Sequence, residues 1–330
     1  MENPYNKDRK RRKGGANMSI SSYEIVKQVV EQRSFLKAAE TIGLTPSAVS
    51  RSISTLEEQW GFSLFIRGKN GVRLTEEGER IYPYLCSVLH SQETLEQQLS
   101  RIKGLESGSV RIAALGSVCI SWMPEILRSF TEKYPNISVT LAEGETNDCI
   151  RMLRDGLADI GFVTLPVEDG MREIPLYEDP LYCVTAEDYY PESKHYVDRE
   201  DLRSLSFISP QSGYDLGIMN FWEKHGVKPR YSRVVGDNAI LAMVEGGLGA
   251  CIVPGLFLDH SNRHITAYPI MPREYRTLGL ILRQKEHTSP ATDHMVRHIV
   301  HVMKQKKLIN VDLWPQTEQH ISPSRPKQEE

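Results

Sequence analysis

Ser34-Phe-Leu-Lys-Ala-Ala-Glu-Thr-Ile-Gly-Leu-Thr-Pro-Ser-Ala-Val-Ser-Arg-Ser-Ile-Ser-Thr-Leu-Glu57 holds two helix starts and, between them, one helix stop. Ser34 can cap a helix whose Phe35, Ala38, Ala39 and Ile42 line one side, and Gly43 is placed to end it in the left-handed conformation. Only Leu44 separates that glycine from Thr45-Pro46, where Thr caps and Pro takes the first helical position without losing a needed hydrogen bond. Val49, Ile53, Leu56 and Trp60 follow at spacings of four, three and four, the spacing of a core stripe. Two short helices around a tight glycine-containing turn form a helix-turn-helix. The other face of the second helix carries Ser47, Ser50, Arg51 and Ser54, with no carboxylate from Thr45 through Leu56. Phosphates repel carboxylates, short side chains let a helix sink into the major groove, and Arg reaches a guanine edge or a phosphate. A merely solvated face would mix Glu and Lys, so this face is expected to contact DNA.

Upstream, Ser21-x-x-Glu24 is a capping-box pattern ahead of Ile25, Val26, Val29 and Val30, which predicts a first helix. Downstream, Phe62-Ser-Leu-Phe-Ile-Arg67, Gly68-Lys-Asn-Gly71 and Val72-Arg-Leu-Thr75 predict a short hairpin turning at Asn-Gly. Its Arg67, Lys69 and Arg73 make it a basic wing for backbone or minor groove. Thr75-Glu76-Glu77 then opens a long helix with acids in its first turn, where the macrodipole favours them. Ile81, Leu85, Val88, Leu95, Leu99 and Ile102 recur at seam spacing with Gln92 as the polar member, which predicts self-association. Packing of the stripe on the chain's own domain is the alternative, and Pro83 interrupts a perfect coil.

The whole chain, 330 residues at 40% hydrophobic and 25% charged, has the composition of a folded globular protein. Its longest charge-free stretches, residues 112–124 and 246–258, are too short for the roughly 18 residues of a membrane span. No apolar region follows the basic N-terminus, so a secretory signal is not expected and the cytoplasm is. Five cysteines, odd in number and far apart, with no C-x-x-C, argue against disulfides or zinc and for buried reduced thiols. Residues 1–103 carry 16 Lys/Arg against 12 Asp/Glu, and the remainder 24 against 31, so the front third is the partner for a polyanion. Much of that excess is Lys7-Asp-Arg-Lys-Arg-Arg-Lys13, which is either a basic arm gripping phosphates or an extension without a defined contact.

Beyond Gly108 the pattern alternates. Short β-type runs at 109–115, 137–142, 159–163, 181–184, 205–208, 230–235, 250–253, 268–271 and 279–282 are interleaved with helices expected near 120–133, 147–154, 216–224, 238–246 and 291–304. This predicts an α/β sheet system, most economically two lobes around a ligand cleft.

The stretch Ser34 to Glu57 resembles, nearly position by position, the helix-turn-helix of LysR-type transcriptional regulators. Leu64-Phe-Ile-Arg67 and Val72-Arg-Leu-Thr-Glu-Glu-Gly78 are similar to that family's wing and linker-helix start. Gly156-Leu-Ala-Asp-Ile160 and Val244-Glu-Gly-Gly-Leu-Gly-Ala-Cys-Ile-Val-Pro254 are similar to its effector-domain landmarks. The resemblance implies a dimer or tetramer, double-stranded promoter DNA as partner, RNA polymerase as a further candidate partner, and a two-lobed effector domain of periplasmic-binding-protein type. By position it places Pro46, Ser47, Ser50 and Arg51 in the major groove and Arg67 on the wing. With Ser34, Thr45, Ser54, Lys69 and Arg73 these form the candidate DNA-binding set.

The resemblance also implies a small-metabolite effector between the lobes, near Ser117, Thr146, Thr164, Ser209, Gln211 and Asn238. Ser117, Thr146 and Asn238 fall near predicted helix N-termini, which suit an anion, each being otherwise simply a helix cap; Glu145 and Asp237 beside them would repel an anion or accept an amine, which leaves the ligand's charge open. No cofactor or metal is implied. The expected organisation is a basic disordered extension (1–18), a winged helix-turn-helix (19–75), a linker and dimerisation helix (76–104), an effector domain (109–306) and a disordered tail (307–330). Among competitors, an enzyme would need none of residues 34–74 and shows no P-loop, G-x-S-x-G or H-E-x-x-H. A solute-binding transport protein would carry an export signal. A structural coiled coil would need more repeat.

Overall fold

The computed structural model describes residues 20–68, 71–102, 107–167, 170–210, 216–228, 231–234, 237–258, 264–283 and 288–306. The basic N-terminal stretch, the tail from residue 307, Lys69 and Gln211 lie outside the described residues. The chain divides into two compact units between residues 93 and 94. Among the described residues no helix is long and apolar enough to cross a membrane.

The first unit opens with α1 (Ile20–Gln32), α2 (Phe35–Ile42) and α3 (Pro46–Trp60). α1 is already under way at Ile20, so Ser21 lies inside it rather than at its cap. The Ser34 hydroxyl accepts the Lys37 N–H at 3.3 Å, and the Thr45 hydroxyl accepts the Ala48 N–H at 3.2 Å. Each such cap stabilises its helix by about 1 kcal/mol. Gly43 turns the chain between α2 and α3 at φ 68°, where a side chain is strained. Val26, Val29, Ala38, Ala39, Val49, Ile53 and Leu56 close the core, the two alanines being small enough for helices to approach.

β1 (Phe65–Gly68) and β2 (Gly71–Leu74) form the wing, with Phe65 opposite Leu74 and Arg67 opposite Val72. Next comes α4 (Glu76–Ile102), tied at its start by the Thr75 hydroxyl, which accepts the Gly78 N–H at 2.9 Å and donates to the Ser63 carbonyl at 2.7 Å. Leu85 is buried in the helix-turn-helix core, with Tyr82 and Leu89 packed beside it. The early part of the predicted seam is therefore used at home. Val88, Leu95, Leu99 and Ile102 remain exposed.

The second unit runs β3 (Gly108–Ala114), α5 (Gly116–Ser121), α6 (Met123–Lys133), β4 (Ile137–Glu143), α7 (Thr146–Arg154), β5 (Ile160–Leu165) and β6 (Arg172–Ala186). It continues through α8 (Arg199–Ser204), β7 (Ile208–Pro210), α9 (Leu216–His225), β8 (Tyr231–Val234), α10 (Asp237–Glu245), β9 (Cys251–Pro254), α11 (Gly255–Leu258), β10 (Ile265–Pro269), β11 (Tyr275–Leu282) and α12 (Pro290–Gln305). The single helix expected at 120–133 is two: α5 starts directly after β3, and the chain breaks at Trp122, with Pro124 inside the first turn of α6.

β4, β3 and β5 are neighbouring parallel strands, and β11 joins antiparallel between β5 and β6. Residues 172–180 of β6 pair with β11, and residues 181–186 pair with β9 and β10. One strand thus belongs to two lobes. The first lobe packs Trp122, Phe130, Phe162, Leu280, Met295 and Ile299 together. The second buries Leu202, Phe207, Ile218, Phe221, Trp222 and Ile252. The fold is mixed α/β, a winged helix-turn-helix and long helix followed by a two-lobed domain.

Candidate DNA-reading face and effector cleft

Ser47 and Arg51 are exposed on α3, with Ser50 and Ser54 partly covered beside them. The Arg67 guanidinium donates from Nη2 to the Ser50 hydroxyl at 3.2 Å and lies 4.3 Å from the Phe35 ring centroid. The wing's cation is thereby held against both helices of the motif. Glu57, the first carboxylate past the serine face, is turned away from it: its Oε1 accepts the N–H groups of Leu64 (2.6 Å) and Phe65 (3.2 Å). That tie fixes where the wing begins. Ser34 and Thr45 are engaged as caps, Pro46 stands at the start of α3, and Arg73 is exposed on β2. Beyond α3's other edge the Ser52 hydroxyl donates to Ser22 of α1 at 3.4 Å. There Ser22, Arg51, Ser52, Thr55 and Gln59 line a groove of about 350 Å³.

In the two-lobed unit, Ser117 follows β3, Thr146 follows β4, and Thr164 lies near the end of β5. All three sit at the carboxyl edge of adjacent parallel strands, the edge where open α/β sheets bind ligands. All are buried; Thr146 accepts the Thr164 N–H at 3.4 Å, and the Thr164 hydroxyl has no hydrogen-bond partner. The N-terminus of α7 is closed by its own chain, because Glu145 and Asp148 form a capping box. At α5 the capping residue is Leu115, whose side chain caps nothing. Nearby, burial pushes the Cys119 thiol up to about 11, with Glu143 adding to it, and the Cys149 thiol up to about 12. Both stay protonated at neutral pH. In the other lobe Ser209 is buried on β7, and Asn238 is exposed at the start of α10, which packs on β7.

Arg276 of β11 links the first set to the strand shared by the lobes. Its Nε and Nη2 donate to Asp179 Oδ2 at 3.0 and 2.8 Å, and Nη2 also donates to the Ser117 hydroxyl at 3.0 Å. Asp179 Oδ1 accepts the Leu256 N–H of α11 at 2.9 Å.

The family model described as LysR substrate binding domain matches residues 103–304. The model of the bacterial regulatory helix-turn-helix protein, lysR family, matches residues 20–79. The chain is a LysR-type transcriptional regulator. Among its relatives is the uncharacterised HTH-type transcriptional regulator YvbU of Bacillus subtilis, 28% identical over 279 residues, covering 83% of this chain and 95% of that one. Among solved structures, a full-length point variant of OxyR from Pseudomonas aeruginosa shares the fold at a TM-score of 0.66 and 21% identity, covering 91% of this chain and 98% of that one. CbnR complexed with its target DNA shares it at a TM-score of 0.63 and 20% identity, covering 86% of this chain and 99% of that one.

Two features of this LysR-type regulator escape a reading of its sequence. Asp179 and Arg276 are 97 positions apart, and nothing in their local composition marks them as a pair. The Glu57 tie to the wing is more nearly visible: a lone acid directly after a carboxylate-free face and directly before a hairpin invites an inward role.

Proposed function

We propose that this regulator reads promoter DNA with Ser47, Ser50, Arg51 and Ser54 of α3, while Arg67, Lys69 and Arg73 of the wing hold the adjoining backbone. One observation carries this: α3 presents a serine and arginine face free of carboxylate, with the wing's Arg67 bonded to Ser50 at its edge. CbnR, a protein of the same fold solved with its target DNA, supports it. Phosphate contacts supply most of the affinity and its salt dependence, and α3 supplies base choice. The exposed seam of Val88, Leu95, Leu99 and Ile102 joins two or more copies, so that two heads meet two half-sites.

A small metabolite held near Ser117, Thr146 and Thr164 of one lobe and Ser209, Gln211 and Asn238 of the other tunes promoter binding, with RNA polymerase as a further partner. Coupling of this kind is worth about 1–3 kcal/mol, a factor of about 5–150 in affinity. The protein acts in the cytoplasm and turns over no substrate. The test is a footprint on the DNA flanking its own coding region, repeated with a panel of small metabolites. A protected site whose occupancy shifts with one metabolite is expected; uniform protection of all duplexes, unmoved by any metabolite, contradicts the proposal.

A further inference from the structure

We propose that Arg33, in the turn between α1 and α2, grips a backbone phosphate beside the wing and stands at that position for its charge. The inference rests on the reading of α3 as the DNA-contacting helix and extends the contact surface beyond it. Each of the first three helices is followed by a residue in the left-handed region: Gly43 after α2 at φ 68°, Gly61 after α3 at φ 80°, and Arg33 after α1 at φ 50°. Glycine enters that region at no steric cost, whereas the Cβ of an arginine crowds the following carbonyl oxygen. Two of the three positions hold the residue the backbone favours. The third holds a long cation.

The backbone role of the turn does not call for that side chain. The Arg33 carbonyl accepts the Val72 N–H at 3.0 Å, and a Cβ added at Gly71 would stand 2.9 Å from it, so the turn is pressed against β2 of the wing. A glycine at this position would present the same carbonyl with less strain. What arginine adds is an exposed side chain with no ion-pair partner among the described residues. Glu31, two residues before it, is already engaged: Oε1 lies 3.8 Å from Lys27 Nζ, and Oε2 accepts from Gln28 Nε2 at 3.0 Å.

The surroundings direct the charge to DNA. Two residues on, the Phe35 ring lies under the Arg67 guanidinium at 4.3 Å, and Arg67 bonds Ser50 of the reading face at 3.2 Å. The turn, the wing and α3 are thus joined, and on them Arg33, Arg51, Arg67 and Arg73 are all exposed. Residues 33–39 and 61–75 contain no carboxylate to repel a phosphate or to neutralise these cations. A phosphate carries no base identity, so Arg33 contributes affinity and salt dependence and leaves base choice to α3.

The test compares the full-length protein with full-length Arg33→Gln, Arg33→Lys and Arg33→Gly in binding across a salt series, on a footprinted duplex from beside its own coding region and on a scrambled duplex of equal length. Arg33→Gln keeps the backbone strain and removes the charge, so its salt slope is expected to fall by about 0.9 per bound protomer, the share of one phosphate, and equally on both duplexes. Arg33→Lys should keep the wild-type slope. Arg33→Gly should lose as much slope as Arg33→Gln while its thermal transition rises, because strain is relieved as the charge is lost. An unaltered slope in Arg33→Gln overturns the proposal, and so does an equal loss in Arg33→Lys. A lowered transition in Arg33→Gly contradicts the strained placement on which it rests. Arg51→Ala, measured alongside, separates this from the reading of α3: unaltered preference for the footprinted duplex removes that reading, whatever Arg33 does.

Discussion

Replacing Asp179 with Asn tests how the two lobes are held together. The carboxylate is fully buried and its partner Arg276 nearly so; between them run two N–H···O bonds of 2.8 and 3.0 Å. Asn keeps an acceptor for the Leu256 N–H but removes the counter-charge from a desolvated guanidinium. Breaking one side of a buried ion pair costs about 3–5 kcal/mol. For a unit of this size each kcal/mol is worth about 2–4 °C, so the transition of the two-lobed unit should fall by roughly 10 °C.

Trp122 and Trp222, both buried in that unit, report the melt by fluorescence. Arg276→Met should cost a similar amount, because it strands the carboxylate instead. The double variant should cost about 2 kcal/mol or more less than the sum of the singles, since it removes both charges together. A single-variant shift of under about 2 °C, or strict additivity in the double, would refute the idea that this pair stabilises the lobe junction.

Other expectations follow from particular residues. Gly249 has φ 151°, and an added Cβ would stand 2.3 Å from the Ser206 carbonyl, so Gly249→Ala should destabilise the second unit by roughly 3 kcal/mol in chemical denaturation. Burial would raise the Glu274 pKa, but the ammonium of Lys224 at 2.9 Å and the ring of His225 at 3.0 Å outweigh it and hold the carboxyl below its usual range. That stabilisation is present above the ordinary carboxyl pKa and lost as pH falls through the depressed one. Glu274→Gln should therefore melt lower at pH 7, with the gap closing below about pH 4. Leu95 is exposed on the α4 seam, and Leu95→Asp should split the oligomer in sedimentation; an unchanged mass would move the interface elsewhere.

Legibility in the sequence followed the range of the forces involved. The head was readable because its signals are local: Ser34 and Thr45 cap the helices they precede, Gly43 turns where it was placed, and Val49, Ile53 and Leu56 are buried at helical spacing. β6 was not. Only residues 181–184 are unbroken apolar sequence, whereas Pro175, Asp179 and Pro180 read as interruptions. The strand tolerates Asp179 because its charge partner, Arg276, stands on β11, far away in the chain. α8 is illegible for a different reason: it is only six residues long, held by an Asp198–Asp201 capping box, with almost no apolar period. In the candidate cleft, Ser117, Thr146 and Thr164 could be named individually, but their shared edge depends on the parallel order of β4, β3 and β5.

Equilibrium binding of Arg51→Ala to the footprinted duplex and to a scrambled duplex of equal length, at fixed salt, isolates what α3 contributes to base choice. Arg51 is exposed and contributes nothing to the core, so the melting curve should be unchanged. Loss of about 1–3 kcal/mol on the specific duplex, with a smaller loss on the scrambled one, is the predicted result. Equal affinity of variant and wild type for the specific site would contradict the assignment of α3 as the reading helix.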